Sequence, residues 1–363
     1  MKISQACEQA VIGKSISMDE AMHLWSEAPL SELMYTADRI RQRLHPEGRV
    51  GWIIDRNVNY SNICTSGCKF CNFYRSKKHA EAYVTTLEQY KCKIEEMLEK
   101  GGRQLLLQGG MHPDFDIHFY EELFRSIKGA YPQIKLHALG PPEIVSISKN
   151  SGLDYTSVLS SLTLAGLDSL PGAGAEILSD RVRSFVSPAK CTSGEWLDVM
   201  RTAHQLGMYT SATMMFGHAE TIEERIQHLF LLRDVQSEKP QNAPGFVSFI
   251  PWPFQDEDTH LRQKLGIINQ STASDYIRLI ALSRIVLHNI SNIQASWLTV
   301  GKDVAQVCLH AGANDFGSIM IEENVVSVAG ANYHFDAEGI QKAIQEAGFI
   351  PYQRNQKFEA ENE

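Results

Sequence analysis

The chain has 363 residues, 43% hydrophobic and 21% charged, the balance of a water-soluble globular protein long enough for one large barrel or two ordinary domains. A net charge of −9 with no basic block argues against nucleic acid or an anionic membrane surface as partner. No apolar run approaches the ~20 residues of a spanning helix, and residues 1–5 lack the apolar core of a secretory signal, so a cytoplasmic protein is expected.

In chain order, Ser17-Met18-Asp19-Glu20 fits a capping box, and Leu30, Leu33, Met34, Ala37 and Ile40 recur at helical spacing. His45-Pro46-Glu47-Gly48 ends that run, giving an N-terminal helical segment over 1–48. Short apolar strands then alternate with amphipathic stretches. Strands are predicted over 51–55, 104–108, 135–139, 166–170, 209–216, 246–251, 293–298 and 315–320. Helices are predicted over 86–100, 119–131, 193–206 and 221–235. This alternation over about 270 residues matches a (β/α)8 TIM-type barrel occupying 49–330. A doubly wound open sheet shares the pattern, and periodicity alone does not separate the two. A helical extension, 331–363, adds one helix at 336–347 and a frayed acidic end.

In a parallel barrel, functional groups sit at the C-terminal ends of the strands. There the sequence places Cys64 to Cys71, Gly109-Gly110, His137 to Glu143, Gly172 to Glu176, Gly217-His218 and Trp252-Pro253. His137, His218 and Asp315 are the weak catalytic candidates, Asp315 for substrate hydroxyls.

Cys64-Thr65-Ser66-Gly67-Cys68-Lys69-Phe70-Cys71 is the most informative stretch. Three thiolates can hold three corners of an iron–sulfur cube, whereas a cluster ligated entirely by protein needs four. The remaining iron is then open to a substrate. A zinc site completed by a distant histidine, or an electron-carrier module, remains an alternative reading of the same thiols. The other cysteines, Cys7, Cys92, Cys191 and Cys308, stand alone and read as inert thiols.

The CxxxCxxC spacing with Phe70 before the third cysteine resembles the radical S-adenosylmethionine (SAM) superfamily. That resemblance implies a 4Fe-4S cluster on Cys64, Cys68 and Cys71, with SAM bound at the open iron. It implies cofactor contacts at Phe70, Gln108, Gly109, Gly110 and Glu176. Arg181 or Arg183 is a candidate partner for the SAM carboxylate, with a surface salt bridge as the equal alternative. A low-potential donor such as flavodoxin or ferredoxin is expected to reduce the cluster. Residues 59–75, 107–110, 136–144, 172–183, 195–207, 213–220, 293–299 and 312–326 are similar to the cyclic dehypoxanthinyl futalosine synthases of menaquinone biosynthesis. The sister aminofutalosine synthases and deazaflavin-forming synthases share these segments. For the cyclases, the resemblance implies a 5′-deoxyadenosyl radical that takes the ribose C4′ hydrogen of dehypoxanthine futalosine. The chain departs from the family pattern at Gly140, where a small hydroxyl residue is usual, and at Ala173, often glycine.

Overall fold

The computed structural model describes residues 3–322, 330 and 333–361; the end of the resembling stretch, 323–326, lies outside them. Ten strands carry the fold. They are β1 (Arg49–Ile53), β2 (Asp55–Asn59), β3 (Gln104–Gln108), β4 (Lys135–Ala138), β5 (Ser169–Leu170), β6 (Tyr209–Phe216), β7 (Gly245–Pro253), β8 (Asn292–Ile293), β9 (Asp315–Ser318) and β10 (Ile350–Gln353). Strands β2 to β8 pair in sequence order, every pair parallel. β1 runs through Ile54 into β2 and pairs with β9, while Gln294 bridges Asp315 to join the far edge. Eight parallel staves therefore close into a (β/α)8 barrel, which resolves the choice against an open sheet.

The helices form the outer layer. Capping boxes at Ser17, Thr86, Thr192, Thr221 and Thr272 each satisfy backbone N–H groups that a helix start leaves orphaned. The N-terminal helices, Ile3–Val11, Met18–Glu27 and Leu30–Leu44, pack outside the barrel against Ala273–Val286. Among the described residues no helix is long and apolar enough to cross a membrane.

Alternation decides which side chains face inward. Leu105, Leu107 and Leu136 are buried toward the helices. Gln104, Leu106 and Gln108 on the same strands line the interior, as do Asp55, Asn57 and Asn59 on β2. Barrels of this kind usually fill their centre with branched apolar side chains. Here many inward positions are polar, and a cavity of about 380 Å³ occupies the centre.

Three expectations change. The predicted strand 166–170 shortens to β5, because Gly166 ends the helix Tyr155–Ala165 at φ 123°. The predicted strand 293–298 stops at Ile293. Ser296 N donates to Tyr276 Oη at 2.7 Å instead of to a neighbouring strand, and Ser296 Oγ donates to Pro251 O at 2.9 Å, so the chain leaves the sheet. Most consequential, the described part of the acidic end, to Glu361, does not fray. β10 pairs with β1 from Arg49↔Ile350 to Trp52↔Gln353, the chain turns over 355–359, and Glu361 N returns to Gln353 O at 3.1 Å.

That hairpin carries Arg354 into the barrel wall. Its guanidinium grips both oxygens of Asp315, Nε to Oδ2 at 2.5 Å and Nη2 to Oδ1 at 2.8 Å. The two side chains reach each other from strands on either side of β1. They meet above Gly51, where a Cβ would lie 2.5 Å from Asp315 Oδ2. Asp315 Oδ1 also accepts from Gly317 N at 2.9 Å. Asp315 is thus committed to Arg354 rather than open to a substrate hydroxyl, which corrects the sequence expectation. Arg354→Ala leaves that carboxylate buried and unpaired, a cost of about 3–5 kcal/mol. Urea denaturation should show a lowered midpoint of that size.

Candidate active site

The cysteine loop follows β2 and is pinned from three sides. Cys64 N donates to Arg75 O at 3.1 Å, Thr65 N to Met111 O at 3.1 Å, and Lys69 N to Val186 O at 2.8 Å. Gly67 sits at φ 59°, a left-handed position that glycine adopts without strain. Ser66 Oγ lies 2.9 Å from Cys64 Sγ and 3.3 Å from Cys68 Sγ, and Met111 N donates to Cys64 Sγ at 3.3 Å. All seven cysteines are free. Burial pushes the Cys68 thiol up to about 12, so an isolated Cys68 stays protonated and ionises only against a cation.

Cys64, Cys68 and Cys71 all line one end of the cavity. Among the described residues no three His, Cys, Asp or Glu side chains converge tightly enough for a single metal ion. A cube, whose irons each take one thiolate, spreads its ligands further than one tetrahedral zinc does. Three thiols lining one cavity fit a 4Fe-4S cluster, which Cys64, Cys68 and Cys71 would hold at three of its irons.

Gly109 and Gly110 have a reason beyond ligand approach. A Cβ on Gly110 would stand 2.2 Å from Ile63 O, and one on Gly109 would stand 2.8 Å from the Tyr60 ring. The glycines let the β3 turn lie flat against the cysteine loop.

Beside the loop lies a buried charge cluster. Glu176, 5% exposed and at φ 42°, accepts from Lys190 Nζ at 2.6 Å through Oε1. Its Oε2 has no hydrogen-bond partner, and neither has Oε2 of Glu143. Burial pushes the Glu143 carboxyl up to about 7, with Lys190 pulling the other way. Lys190 also sits over the Phe70 ring at 5.3 Å. Glu143, Glu176, Lys190 and Phe70 all line the cavity. Two orphaned carboxylate oxygens beside an ammonium group suit a zwitterionic nucleoside such as SAM, which brings ammonium and hydroxyl donors together with a carboxylate.

Arg183 fastens this arrangement. It is buried and donates to Gly174 O, Ala175 O and Cys191 O, tying the loop before Glu176 to the residue after Lys190. Arg181 points elsewhere. Its side chain is 58% exposed, and it donates to Glu224 Oε1 at 2.7 Å and Ala219 O at 3.0 Å. The structure thus puts Arg181 on the surface in an ion pair with Glu224, and Lys190 is the cation lining the cavity beside the cysteine loop. Nothing periodic marks Lys190 in the sequence; it stands in a loop, within Ser187-Pro188-Ala189-Lys190.

Gln108 lines the cavity at the end of β3, as expected. His137 lines it deeper down, its Nδ1 2.7 Å from Ser169 Oγ; burial, together with Arg354, pulls its pKa down to about 3. His218 is buried outside the cavity lining, with Nε2 on Met215 O at 3.0 Å and Nδ1 accepting from Ala219 N at 2.7 Å. It works as a bracket for the β6 turn and not as a group facing substrate. Trp252, placed by the sequence at this rim, lines the cavity, and so do Trp297 and the C-terminal Gln356 and Phe358, which sequence reading did not single out.

Comparison with known proteins agrees with this geometry. Residues 58–232 match the model of the radical SAM superfamily, and residues 243–363 match the CofH/MqnC C-terminal region. The chain belongs to the radical SAM superfamily. It is 41% identical to the cyclic dehypoxanthine futalosine synthase of Streptomyces coelicolor over 97% of this chain and 87% of that one. It is equally, 41%, identical to the same enzyme of Halalkalibacterium halodurans, over 99% and 95%. A 5-amino-6-(D-ribitylamino)uracil–L-tyrosine 4-hydroxyphenyl transferase of Archaeoglobus fulgidus is 39% identical over 89% and 92%. Among solved structures, methylornithine synthase (PylB) shares the fold with a TM-score of 0.72 at 19% identity, covering 97% of this chain and 98% of that one. The protein is accordingly a SAM-dependent enzyme that uses a 4Fe-4S cluster.

Two substitutions test the site. Gly110→Ala forces the β3 turn off the cysteine loop, so iron incorporation should fall although all three cysteines remain, read by iron content and the brown absorption. Glu176→Gln should keep the cluster spectrum and weaken SAM binding about tenfold or more, because a charge-assisted hydrogen bond is lost; titration calorimetry on the reconstituted protein measures it.

Proposed function

We propose that this enzyme cyclises dehypoxanthine futalosine to cyclic dehypoxanthinyl futalosine in menaquinone biosynthesis. The observation that carries the reading is the 41% identity to two cyclic dehypoxanthine futalosine synthases over nearly the whole chain, C-terminal region included. Reduced and bound to SAM, the cluster supplies a 5′-deoxyadenosyl radical, which takes the ribose C4′ hydrogen. The sugar radical would then add to the substrate's benzoate ring, and the ring radical would give one electron back to the oxidised cluster and a proton to solvent, restoring aromaticity.

The chain's own residues have three tasks in this reading. Glu143, Glu176 and Lys190 orient SAM beside the cysteine loop. Trp252 and Trp297 offer flat walls to an aryl group near the mouth. The closed barrel keeps water and stray hydrogen donors from the radicals. A low-potential flavodoxin or ferredoxin is the proposed electron source, and a reducing cytoplasm suits seven free thiols.

A second reading has support from the 39% identity to the hydroxyphenyl transferase. One anaerobic assay separates them. The reconstituted enzyme, SAM and a reductant are given either dehypoxanthine futalosine or 5-amino-6-(D-ribitylamino)uracil with tyrosine. The expected outcome is 5′-deoxyadenosine and a spirocyclic product with the first substrate only. Product from the second pair alone would overturn the cyclase reading.

A further inference from the structure

The C-terminal hairpin does more than complete a sheet. Asn355 Oδ1 accepts from Lys357 N at 2.8 Å and from Glu359 N at 3.1 Å, closing a tight turn. Phe358 is held there at φ 64°, a left-handed conformation that costs a non-glycine residue stability. Its ring lies 3.9 Å from the Arg354 guanidinium. The turn places Gln356 and Phe358 among the cavity-lining residues, although neither belongs to a barrel strand. Gln356 Nε2 lies 3.4 Å from His137 Nε2.

This is the end of the cavity away from the cysteines. Asp55 and Gln104 start β2 and β3, while the cysteine loop follows the other end of β2, about 13 Å of strand further on. The groups at this end share a chemistry. Gln104 Nε2 donates to Asp55 Oδ2 at 3.2 Å, and Ser318 Oγ donates to Asp55 Oδ1. Gln104 Oε1 and Asn57 Oδ1 are buried acceptors with no partner. Arg354, the cation that lines the cavity at this end among the described residues, is neutralised by Asp315. A carboxylate here would meet Asp55 and Asp315 with no spare positive charge, whereas hydroxyl groups would give the orphaned acceptors their donors.

We propose that the hairpin tip is part of the substrate site, and that Gln356, with Gln104 and Asn57 on the barrel wall, binds the hydroxyl-bearing sugar end of the substrate. This rests on the cyclase reading, since it takes dehypoxanthine futalosine as the ligand. The C-terminal residues then set specificity as well as closing the barrel. The substrate's carboxylate lies toward the mouth, away from the floor.

The test uses the full-length, cluster-loaded enzyme. Calorimetry and steady-state kinetics compare wild type with Gln356→Leu, using dehypoxanthine futalosine and analogues lacking one ribose hydroxyl each. Gln356→Leu should weaken substrate binding and raise KM about tenfold, with SAM affinity and the cluster's electron paramagnetic resonance spectrum unchanged. Wild type should lose a similar factor toward one deoxy analogue, and Gln356→Leu should no longer distinguish that analogue from the parent. If wild type binds and converts the substrate but Gln356→Leu binds it equally well, the floor assignment is overturned and the cyclase reading stands. Loss of affinity with the analogue preference fully retained also overturns it, as that marks a purely structural role. If wild type neither binds nor converts the substrate, both readings fall together.

Discussion

A barrel that must hold its reaction at the centre gives up the packing that would otherwise fill it. Every other feature follows from that constraint. The inward positions of β2 and β3 carry Asp55, Asn57, Asn59, Gln104 and Gln108, which a conventional apolar interior would exclude. Apolar burial moves outward, to the layer between Leu105, Leu107 and Leu136 and the surrounding helices. At about 25 cal/mol per Å² that layer supplies most of the stability, and the capping boxes keep its helices in register with the strands. The hollow centre then needs a stopper, which Arg354 and Asp315 lock in place across Gly51.

Charge is distributed along the cavity in a matching way. At the floor the ions cancel in a closed pair. Near the cysteine loop they do not: Lys190 faces two carboxylates, each with one oxygen unsatisfied. Buried charges left in such an open arrangement destabilise an empty protein. They become favourable when a ligand brings the missing donors, which is why this cluster suits the SAM-orienting task proposed for it. Glu176 adds backbone strain at φ 42°, and Arg183 holds it there through three carbonyls.

The sequence revealed most of this framework and the whole cysteine loop, because both depend on local spacing. The three cysteines stand out by their own spacing, and Gln108 with the paired glycines by the apolar run of β3; the structure brings them and Glu176 to one cavity. The misassigned residues fail for one shared reason: a side chain's partner is a matter of tertiary distance. Arg181 and Arg183 are two residues apart on one short helix. That spacing points them apart, one to solvent and Glu224, the other into the core. Asp315 reads as an available acid until Arg354 arrives from the end of the chain. Lys190 and Gln356 sit in loops without periodicity. The inward polar residues of β2 and β3 were legible in principle, as polar residues alternating with apolar ones mark a strand whose inner face is wet.

The bend at Ile54 lets a single stave serve two neighbours, β10 along its lower half and β3 along its upper half. During synthesis, Arg49 emerges long before its partner Ile350. The lower ladder therefore stays incomplete until β10 has been made, and contacts so distant in sequence are slow to form. The interior remains open from below during that interval and is sealed by β10 and the turn that follows it. A nascent or C-terminally nicked chain would accordingly be a leaky vessel with all its chemistry-bearing loops in place, able to start radicals that it cannot contain.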